Sequence, residues 1–323
     1  MIRFIDLFAG IGGFHLGLTQ ASNKFKCVYA NEWDRYANKI YTQHFGQCDD
    51  RDIQTVDESQ IPEHDLLVGG FPCQSFSIAG KRQGFYDTRG TMFFEIARII
   101  KKRQPRYLLL ENVKGLLSHD EGRTFTTIIC TLDELGYDLQ WQVLNSKDFG
   151  VPQNRERVFI VGHIRGQPRP EIFPITESIY LSEASESKAE QTIANTLRAK
   201  QGGPGIDQTY VSRFPLKFAQ RNQNTISGDY AFTVDGANTG GVLISKTVRA
   251  GGGGSPHGSK QNWDSYDFDG VIRRLTPLEC ERLQGFPDGW TQGISDTQRY
   301  KCLGNAVTVN VVRYLASKLS LNL

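Results

Sequence analysis

The sequence lacks paired cysteines. Its six cysteines are scattered along 323 residues, and none of them forms a C-x-x-C pair with another. This spacing excludes the common zinc sites and a disulfide framework, and it is typical of a protein that stays in a reducing compartment. We therefore expect no metal site and a cytoplasmic location.

Long apolar runs and a strong excess of one charge are absent as well. No stretch is long enough for a membrane helix, and the N-terminus leads into a strand-like segment rather than a signal peptide, so we expect no membrane association. Hydrophobic residues make up 39% of the chain and charged residues 22%, which predicts a globular protein with one large and one smaller domain. The net charge of +2 leaves a nucleic-acid partner open, and the local distribution of charge matters more.

The first segment predicts a nucleotide-binding βα unit. A strand pattern at 3–7 is followed by a turn with Gly10, Gly12 and Gly13, and then by a helical pattern. The dehydrogenase fingerprint requires glycine at position 15, where this chain has His15, and the lysine and hydroxyl residue of a phosphate-binding P-loop are missing. The turn therefore suits a nucleoside ligand without requiring a pyrophosphate.

Acidic residues stand at the ends of the next two predicted strands. Glu32 follows the strand pattern at 27–31 and is placed to accept hydrogen bonds from ribose hydroxyls, and Trp33 could stack on an adenine. Asp52, which is followed by Ile53, could bond the adenine amino group. The alternative for Glu32 is a solvated loop carboxylate.

A thiol stands at the tip of a further strand. The apolar run at 65–68 breaks into two glycines, then Pro72 and Cys73, which predicts a buried strand that ends in a tight turn. Taken alone, this stretch leaves an inert buried thiol and a reactive one as alternatives. The polar segment at 80–90 predicts a mobile lid over the site.

A carboxylate and two arginines follow later strand ends. Glu111 comes after the strand pattern at 107–110, in the same sheet as Cys73, and is a second candidate reactive group. Arg155 and Arg157 stand two positions apart and project to the same face if the segment is extended. The alternative for this pair is a surface salt-bridge ladder.

Taken together and in this order, the motifs closely resemble those of the DNA (cytosine-5) methyltransferases, the bacterial modification enzymes of restriction systems. Each motif by itself is weakly specific, and their fixed order carries the resemblance, which covers 1–165 and 271–323. The matching segments are Asp6–Phe14, Glu32-Trp33, Gly70-Phe71-Pro72-Cys73-Gln74, Glu111-Asn112-Val113, Gln153-x-Arg155-x-Arg157, Arg273–Glu279, Leu283–Pro287 and Gly304–Val307.

The resemblance implies a fold and a cofactor. The expected fold is α/β, with a doubly wound Rossmann-like S-adenosylmethionine-dependent methyltransferase sheet and a second, smaller, mainly β target-recognition domain. The implied cofactor is S-adenosylmethionine, with S-adenosylhomocysteine as product and no metal. By motif match its contacts are Phe8, Gly10, Gly13, Glu32, Trp33, Asp52, Ile53, Pro72, Asn305 and Val307.

The resemblance also implies a mechanism on double-stranded DNA. Cys73 is the expected nucleophile toward carbon 6 of a flipped-out cytosine, Glu111 is its acid partner, and Arg155 and Arg157 are expected to hold the base and Glu111. Thiolate addition at carbon 6 makes carbon 5 reactive enough to accept a sulfonium methyl group. The base that removes the carbon 5 proton and the lid side chain that fills the vacated space stay open, since some relatives carry serine where this chain has Ala79.

Expected DNA contacts lie within and beside the lid and in a variable region. The stretch 193–262 carries eight lysines and arginines against three aspartates, which favours a phosphate-facing surface. A short sequence pattern occurs twice within this stretch and places Arg198 and Arg249 before glycine-rich loops. Arginines in such loops could read guanine edges, and a coincidental repeat is an equal alternative. The expected DNA-binding residues are Gln74, Ser77, Arg89, Thr91, Arg198 and Arg249.

The motif positions predict two domains, of which the catalytic one is discontinuous in sequence. We expect a discontinuous catalytic domain at 1–180 and 300–323, and a target-recognition domain with hinge at 181–299, because an apolar final helix at 305–319 returns to the first strand. We expect a monomer in the bacterial cytoplasm that works functionally with a cognate restriction endonuclease. The alternatives are a DNA-recognition protein without catalysis, a nicotinamide oxidoreductase, and an RNA substrate.

Overall fold

A computed structural model describes residues 1–72, 92–167, 171–175, 232–234, 241–243, 245–246, 265–268 and 271–321. The chain forms two compact units. The first comprises Met1–Leu144, Glu156–Ile175 and Val311–Leu323, and the second comprises Asn145–Arg155 and Thr176–Asn310. Both units are discontinuous in sequence. The functional division into catalytic and recognition domains stays a prediction.

The described residues contain a six-stranded sheet with the order β2-β1-β3-β4-β7-β5. The strands β1 to β4 pair in parallel, and β7 is antiparallel to β4. The strands are β1 Ile2–Leu7, β2 Phe25–Asn31, β3 Leu66–Gly70, β4 Tyr107–Val113, β5 Tyr137–Asn145, β6 Gln153–Asn154, β7 Glu156–Ile164, β8 Phe232–Val234, β9 Gly241–Leu243, β10 Ser245–Lys246, β11 Ser265–Phe268 and β12 Val271–Arg274.

Helices start where the sequence supplies caps. The Asp34 carboxylate accepts hydrogen bonds from the backbone N–H groups of Tyr36 and Ala37, and Thr276 forms a capping box with Glu279. None of the helices in the described residues is long and apolar enough to cross a membrane. The helices are α1 Gly13–Ala21, α2 Arg35–Phe45, α3 Met92–Arg103, α4 Arg123–Glu134, α5 Pro277–Leu283, α6 Asp296–Asn305 and α7 Val309–Leu321.

The main core lies between the sheet and the helices of the first unit. Ile5 and Leu7 of β1 belong to one buried cluster with Ile96 and Ile100 of α3. The residues of β3 from Leu66 to Val68 are buried without alternation, as expected for a parallel strand covered on both faces. This core holds the carboxyl ends of β1 to β4 along one edge of the sheet.

The predicted final helix at 305–319 is wrong at its start. Helix α6 ends at Asn305, Ala306 adopts extended backbone angles, and α7 begins only at Val309. The apolar pattern alone could not reveal this break, because the contacts that impose it come from residues distant in sequence.

Strands dominate the short described segments of the second unit. The pairs β8–β9 and β11–β12 are antiparallel, and β10 pairs in parallel with β6.

Candidate functional site

The glycine turn after β1 lies in left-handed backbone conformations. Phe8, Gly10 and Gly12 have φ angles of 55°, 56° and 85°, and Gly13 is the buried first residue of α1. A Cβ atom placed on Gly10 would meet nothing within 4 Å, so the turn borders open space. A turn of this kind lets a ligand approach the backbone closely.

Glu32 bridges this turn to the start of α2. Its Oε2 atom accepts a hydrogen bond from the N–H of Gly10 at 2.8 Å, and its Oε1 atom accepts one from the N–H of Asp34 at 2.8 Å. The residue is only 8% exposed. Glu32 is therefore a built part of the turn rather than a solvated loop carboxylate.

The two other residues predicted near an adenine have different settings. The Trp33 side chain is 70% exposed. The predicted strand before Asp52 is wrong, since this residue instead caps a short 3-10 helix at Ile53–Thr55, where its carboxylate accepts the N–H of Gln54 at 3.0 Å. Ile53 is buried in the core.

Burial also raises the pKa of a carboxyl group just before this turn. Asp6 is fully buried, which raises its pKa well above the usual range, and the nearby charge of Glu32 adds to the effect. The backbone N–H of His15 opposes it. Asp6 is thus held as a neutral acid beneath the turn over a wider pH range than an exposed aspartate.

Glu111 and Arg157 form an ion pair at the tip of β4. The Nε atom of Arg157 lies 3.1 Å from Oε1 of Glu111, and burial lowers the pKa of the arginine while the carboxylate opposes that shift. On the other side, a Cβ atom on Gly70 would lie 3.1 Å from Oε2 of Glu111. The carboxylate thus lies against the glycine that ends β3, the strand that leads to Pro72 and Cys73.

Asn112 connects β4 to the chain just after β3, a contact that its motif alone does not indicate. Its side chain is buried, its Nδ2 atom donates to the carbonyl of Phe71 at 2.9 Å, and its Oδ1 atom accepts the N–H of Val113 at 2.8 Å. The parallel ladder between β3 and β4 ends with the pair Gly70 and Glu111, so this amide continues the connection one residue further. The sequence feature that could have indicated this residue is its position directly after Glu111.

The Arg155 side chain is held by the main chain of the second unit. Its guanidinium is buried, and Nη2 donates to the carbonyls of Gly304 at 3.1 Å and Ala306 at 2.8 Å. Arg157 pairs with the Glu111 carboxylate, whereas the Nη2 atom of Arg155 binds main-chain carbonyls. The ladder alternative is wrong, because the Arg157 side chain is only 16% exposed.

Within the second unit, Arg155 belongs to a buried polar network around the break between α6 and α7. Gln284 donates from Nε2 to the carbonyl of Leu303 at 2.7 Å and accepts the Thr308 hydroxyl at 2.8 Å. This network holds the main chain on both sides of Asn305, whose side chain is exposed, whereas Val307 is buried.

Several predicted site residues lie outside the described residues. They are Cys73, Gln74, Ser77, Arg89, Thr91, Arg198 and Arg249. Pro72, an exposed residue, ends the described segment directly before the thiol. Within the described ranges there is no group of three or more histidine, cysteine, aspartate or glutamate side chains that could hold a metal ion.

Comparisons with known proteins place this arrangement among methyltransferases. A family model described as C-5 cytosine-specific DNA methylase matches residues 2–321. The chain is 37% identical over 320 residues to the type II methyltransferase M.HhaI of Haemophilus parahaemolyticus, a match that covers 98% of this chain and 93% of that relative. It is 41% identical over 328 residues to the type II methyltransferase M.SsoII of Shigella sonnei, a match that covers 98% of this chain and 79% of that relative.

A solved structure shares the fold. The DNMT2 protein of Spodoptera frugiperda, in a mutant form, aligns with a TM-score of 0.61 and 19% sequence identity, covering 99% of this chain and 100% of that one. At this identity the likeness concerns the fold alone, and it confirms the predicted α/β architecture.

Proposed function

This chain belongs to the C-5 cytosine-specific DNA methylase family, and we propose that it methylates carbon 5 of a cytosine within a short specific sequence of double-stranded DNA. The observation that carries the catalytic part is the ion pair of Glu111 and Arg157, with the carboxylate lying against Gly70. Family membership excludes the alternative of a nicotinamide oxidoreductase.

The residues around the first turn fit S-adenosylmethionine. When bound, this cofactor supplies the methyl group from its sulfonium and leaves as S-adenosylhomocysteine. The open space at Gly10 and the bridging carboxylate of Glu32 support a nucleoside there, and Trp33 has an exposed ring that could stack on its base. We assign the remaining contacts by motif match to Phe8, Gly13, Asp52, Ile53, Pro72, Asn305 and Val307.

Cys73 is the proposed nucleophile. Its thiolate forms a bond from Sγ to carbon 6 of the cytosine, which moves electron density toward carbon 5 and ring nitrogen 3. Carbon 5 then takes the methyl group, loses its proton, and the bond between Sγ and carbon 6 breaks to restore the thiolate. Splitting the transfer in this way replaces one difficult step with easier ones.

Glu111 is the proposed proton donor toward ring nitrogen 3, an effect of about a hundredfold or more. Arg157 holds one carboxylate oxygen of Glu111, so the other oxygen is directed by the packing against Gly70. Arg157 also places a cation where negative charge develops on the exocyclic oxygen of the base. Arg155 is the second proposed arginine of this motif, and its Nη2 atom is held by the main-chain carbonyls of Gly304 and Ala306.

The biological setting follows from the same proposal. The proposed DNA contacts are Gln74, Ser77, Arg89, Thr91, Arg198 and Arg249, and the type II relatives support a partner endonuclease whose cleavage this methylation blocks. We propose a monomer in the bacterial cytoplasm that binds this endonuclease's target sequence but not the endonuclease itself.

Covalent trapping tests the proposal. The purified chain is mixed with S-adenosylmethionine and a pool of DNA duplexes in which 5-fluorocytosine replaces cytosine. The fluorine on carbon 5 cannot leave as the proton does, so the covalent adduct with the enzyme stays intact. We expect a denaturation-resistant complex that is absent for Cys73→Ser, while cofactor binding persists in that variant. Trapping that needs no Cys73, or that occurs only on RNA, would overturn the proposal. Bisulfite sequencing of DNA from expressing cells then identifies the target sequence.

A further inference from the structure

His15, which breaks the dehydrogenase fingerprint, forms an aromatic cluster in the first unit. Its imidazole stacks on Phe45, with ring centroids 3.8 Å apart and an interplanar angle of 10°. The Nδ1 atom of His15 is 2.7 Å from the hydroxyl of Tyr41, and the ring of Phe4 meets the imidazole edge-on at 5.2 Å. Contacts from three directions therefore fix the orientation of this side chain.

The other side of the cluster touches the glycine turn. A Cβ atom on Gly12 would lie only 2.2 Å from Cε2 of Phe45, so the Phe45 ring fills the space where any other residue at 12 would have its side chain. Gly12 has a φ angle of 85°, and its N–H donates to the carbonyl of Ala9 at 2.9 Å. The turn is thus closed by its own hydrogen bond and packed against an aromatic ring.

Helix α2 connects this contact to the carboxylate on the far side of the turn. At its start, the N–H of Asp34 donates to Oε1 of Glu32, while Oε2 of Glu32 accepts the N–H of Gly10. At its end, Phe45 lies against Gly12. One helix therefore contacts the turn at two points, through a hydrogen-bonded carboxylate and through a ring.

We propose that Phe45 and His15 are positioning residues that hold the glycine turn at the spacing from Glu32 that binds the cofactor's nucleoside. This inference rests on the proposed function, because it assigns the turn to S-adenosylmethionine. Neither ring has to touch the cofactor. Their effect reaches it through the backbone at Gly10 and Gly12.

Calorimetric binding of S-adenosylmethionine tests this role. We expect Phe45→Ala to raise the Kd for S-adenosylmethionine by about tenfold or more, equivalent to about 1.4 kcal/mol. Phe45→Tyr keeps the ring and should stay close to wild type. Binding of a DNA duplex without cofactor, measured by fluorescence anisotropy, should be unchanged in both variants.

A matched control separates positioning from general destabilisation. Phe125 is also a half-buried phenylalanine on a helix, and it packs edge-on against Trp141 with centroids 5.0 Å apart, in α4 and β5. Phe125→Ala should lower Tm without changing the Kd for the cofactor. Equal effects of the two alanine variants on that Kd would overturn the proposal.

A double-mutant cycle tests the contact itself. Gly12→Ala should weaken cofactor binding strongly in the wild-type background, and less in the Phe45→Ala background, because removal of the ring opens room for the new methyl group. Additive effects would contradict the proposal. Glu32→Ala separates failure of the proposed cofactor site from failure of the positioning role. If Glu32→Ala binds S-adenosylmethionine as tightly as wild type, the proposed cofactor site is wrong. If Glu32→Ala loses this binding and Phe45→Ala keeps it, only the positioning role is wrong.

Discussion

Arg157 holds the carboxylate of Glu111 across neighbouring antiparallel strands, with Nε 3.1 Å from Oε1 and side chains only 16% and 11% exposed. Glu111 lies on β4 opposite Phe159, and Arg157 pairs with Val113, so the two charged side chains reach each other diagonally across the ladder. Shielding from water makes each partner dependent on the other, because an unpaired charge in this setting is costly.

Arg157→Met should therefore impair both stability and chemistry. We expect a loss of at most about 3 kcal/mol in the free energy of unfolding, since Glu111 then keeps a buried charge without its cation. The double variant with Glu111→Gln should recover part of this stability but none of the methyl transfer. Urea denaturation and single-turnover transfer of labelled methyl groups measure the two effects. Equal stability of single and double variants would argue against a coupled pair.

Gly70→Ala should slow methyl transfer with little change in stability. The new methyl group would lie 3.1 Å from Oε2 of Glu111, so the carboxylate has to move by a few tenths of an ångström. Since Glu111 is the proposed proton donor, its displacement should lower the rate, and we expect about a tenfold loss in the single-turnover constant.

Gly69→Ala is the matched control for this substitution. Its methyl group would lie 3.0 Å from the main-chain oxygen of Leu7, which cannot rotate away. We therefore expect a loss of about 1–3 kcal/mol in stability, with the chemical step preserved in the folded fraction. A larger loss of stability in Gly70→Ala together with a larger loss of transfer rate in Gly69→Ala would contradict the proposed role of Glu111.

Asn112→Ala should reduce the rate of adduct formation. It leaves the buried carbonyl of Phe71 without its donor, costs about 1–3 kcal/mol in stability, and releases the main chain ahead of Cys73. Tyr137→Phe removes a comparable buried bond, from the hydroxyl to the carbonyl of Pro105 at 2.6 Å, before β4 begins. Trapping on 5-fluorocytosine duplexes should be slow for the first variant and normal for the second.

His15 should make stability depend on acidity. Burial lowers its pKa from 6.5 to about 4, so the unfolded chain binds a proton between those values that the folded chain does not. The free energy of unfolding is therefore unaffected by protonation of His15 above pH 6.5, and it decreases by up to roughly 3 kcal/mol as the pH falls toward 4. Compared with wild type, His15→Gln should lose less stability between pH 7 and pH 5 in urea titrations. Parallel curves would show that His15 does not contribute.

Local pattern was sufficient for residues whose role depends on their own strand or turn. A glycine turn after one strand and an acidic residue after the next predicted that Gly10 and Glu32 lie together at a common sheet edge, and the structure joins them by a hydrogen bond. Glu111 was located by the same reasoning, and the structure places it beside the end of β3. The resemblance to the cytosine-5 methyltransferases was confirmed by the family match.

Residues whose partners lie far along the chain could not be placed in this way. The spacing of Arg155 and Arg157 does not indicate that Arg155 binds the distant carbonyls of Gly304 and Ala306. The break after Asn305 had the same cause, because an apolar pattern continues through it. Side-chain periodicity does not report which distant backbone groups need a donor.

The sequence by itself determined the reaction class, the glycine turn after β1, and the positions of Glu32 and Glu111 near the ends of β2 and β4, because these depend on short motifs and local backbone preferences. Tertiary structure alone decided that Phe45 fills the space at Gly12, that Glu111 lies against Gly70, and that Asn112 holds Phe71. Those contacts depend on how separate segments pack, since a ring, a carboxylate and an amide find their partners only after the sheet brings its strand ends together.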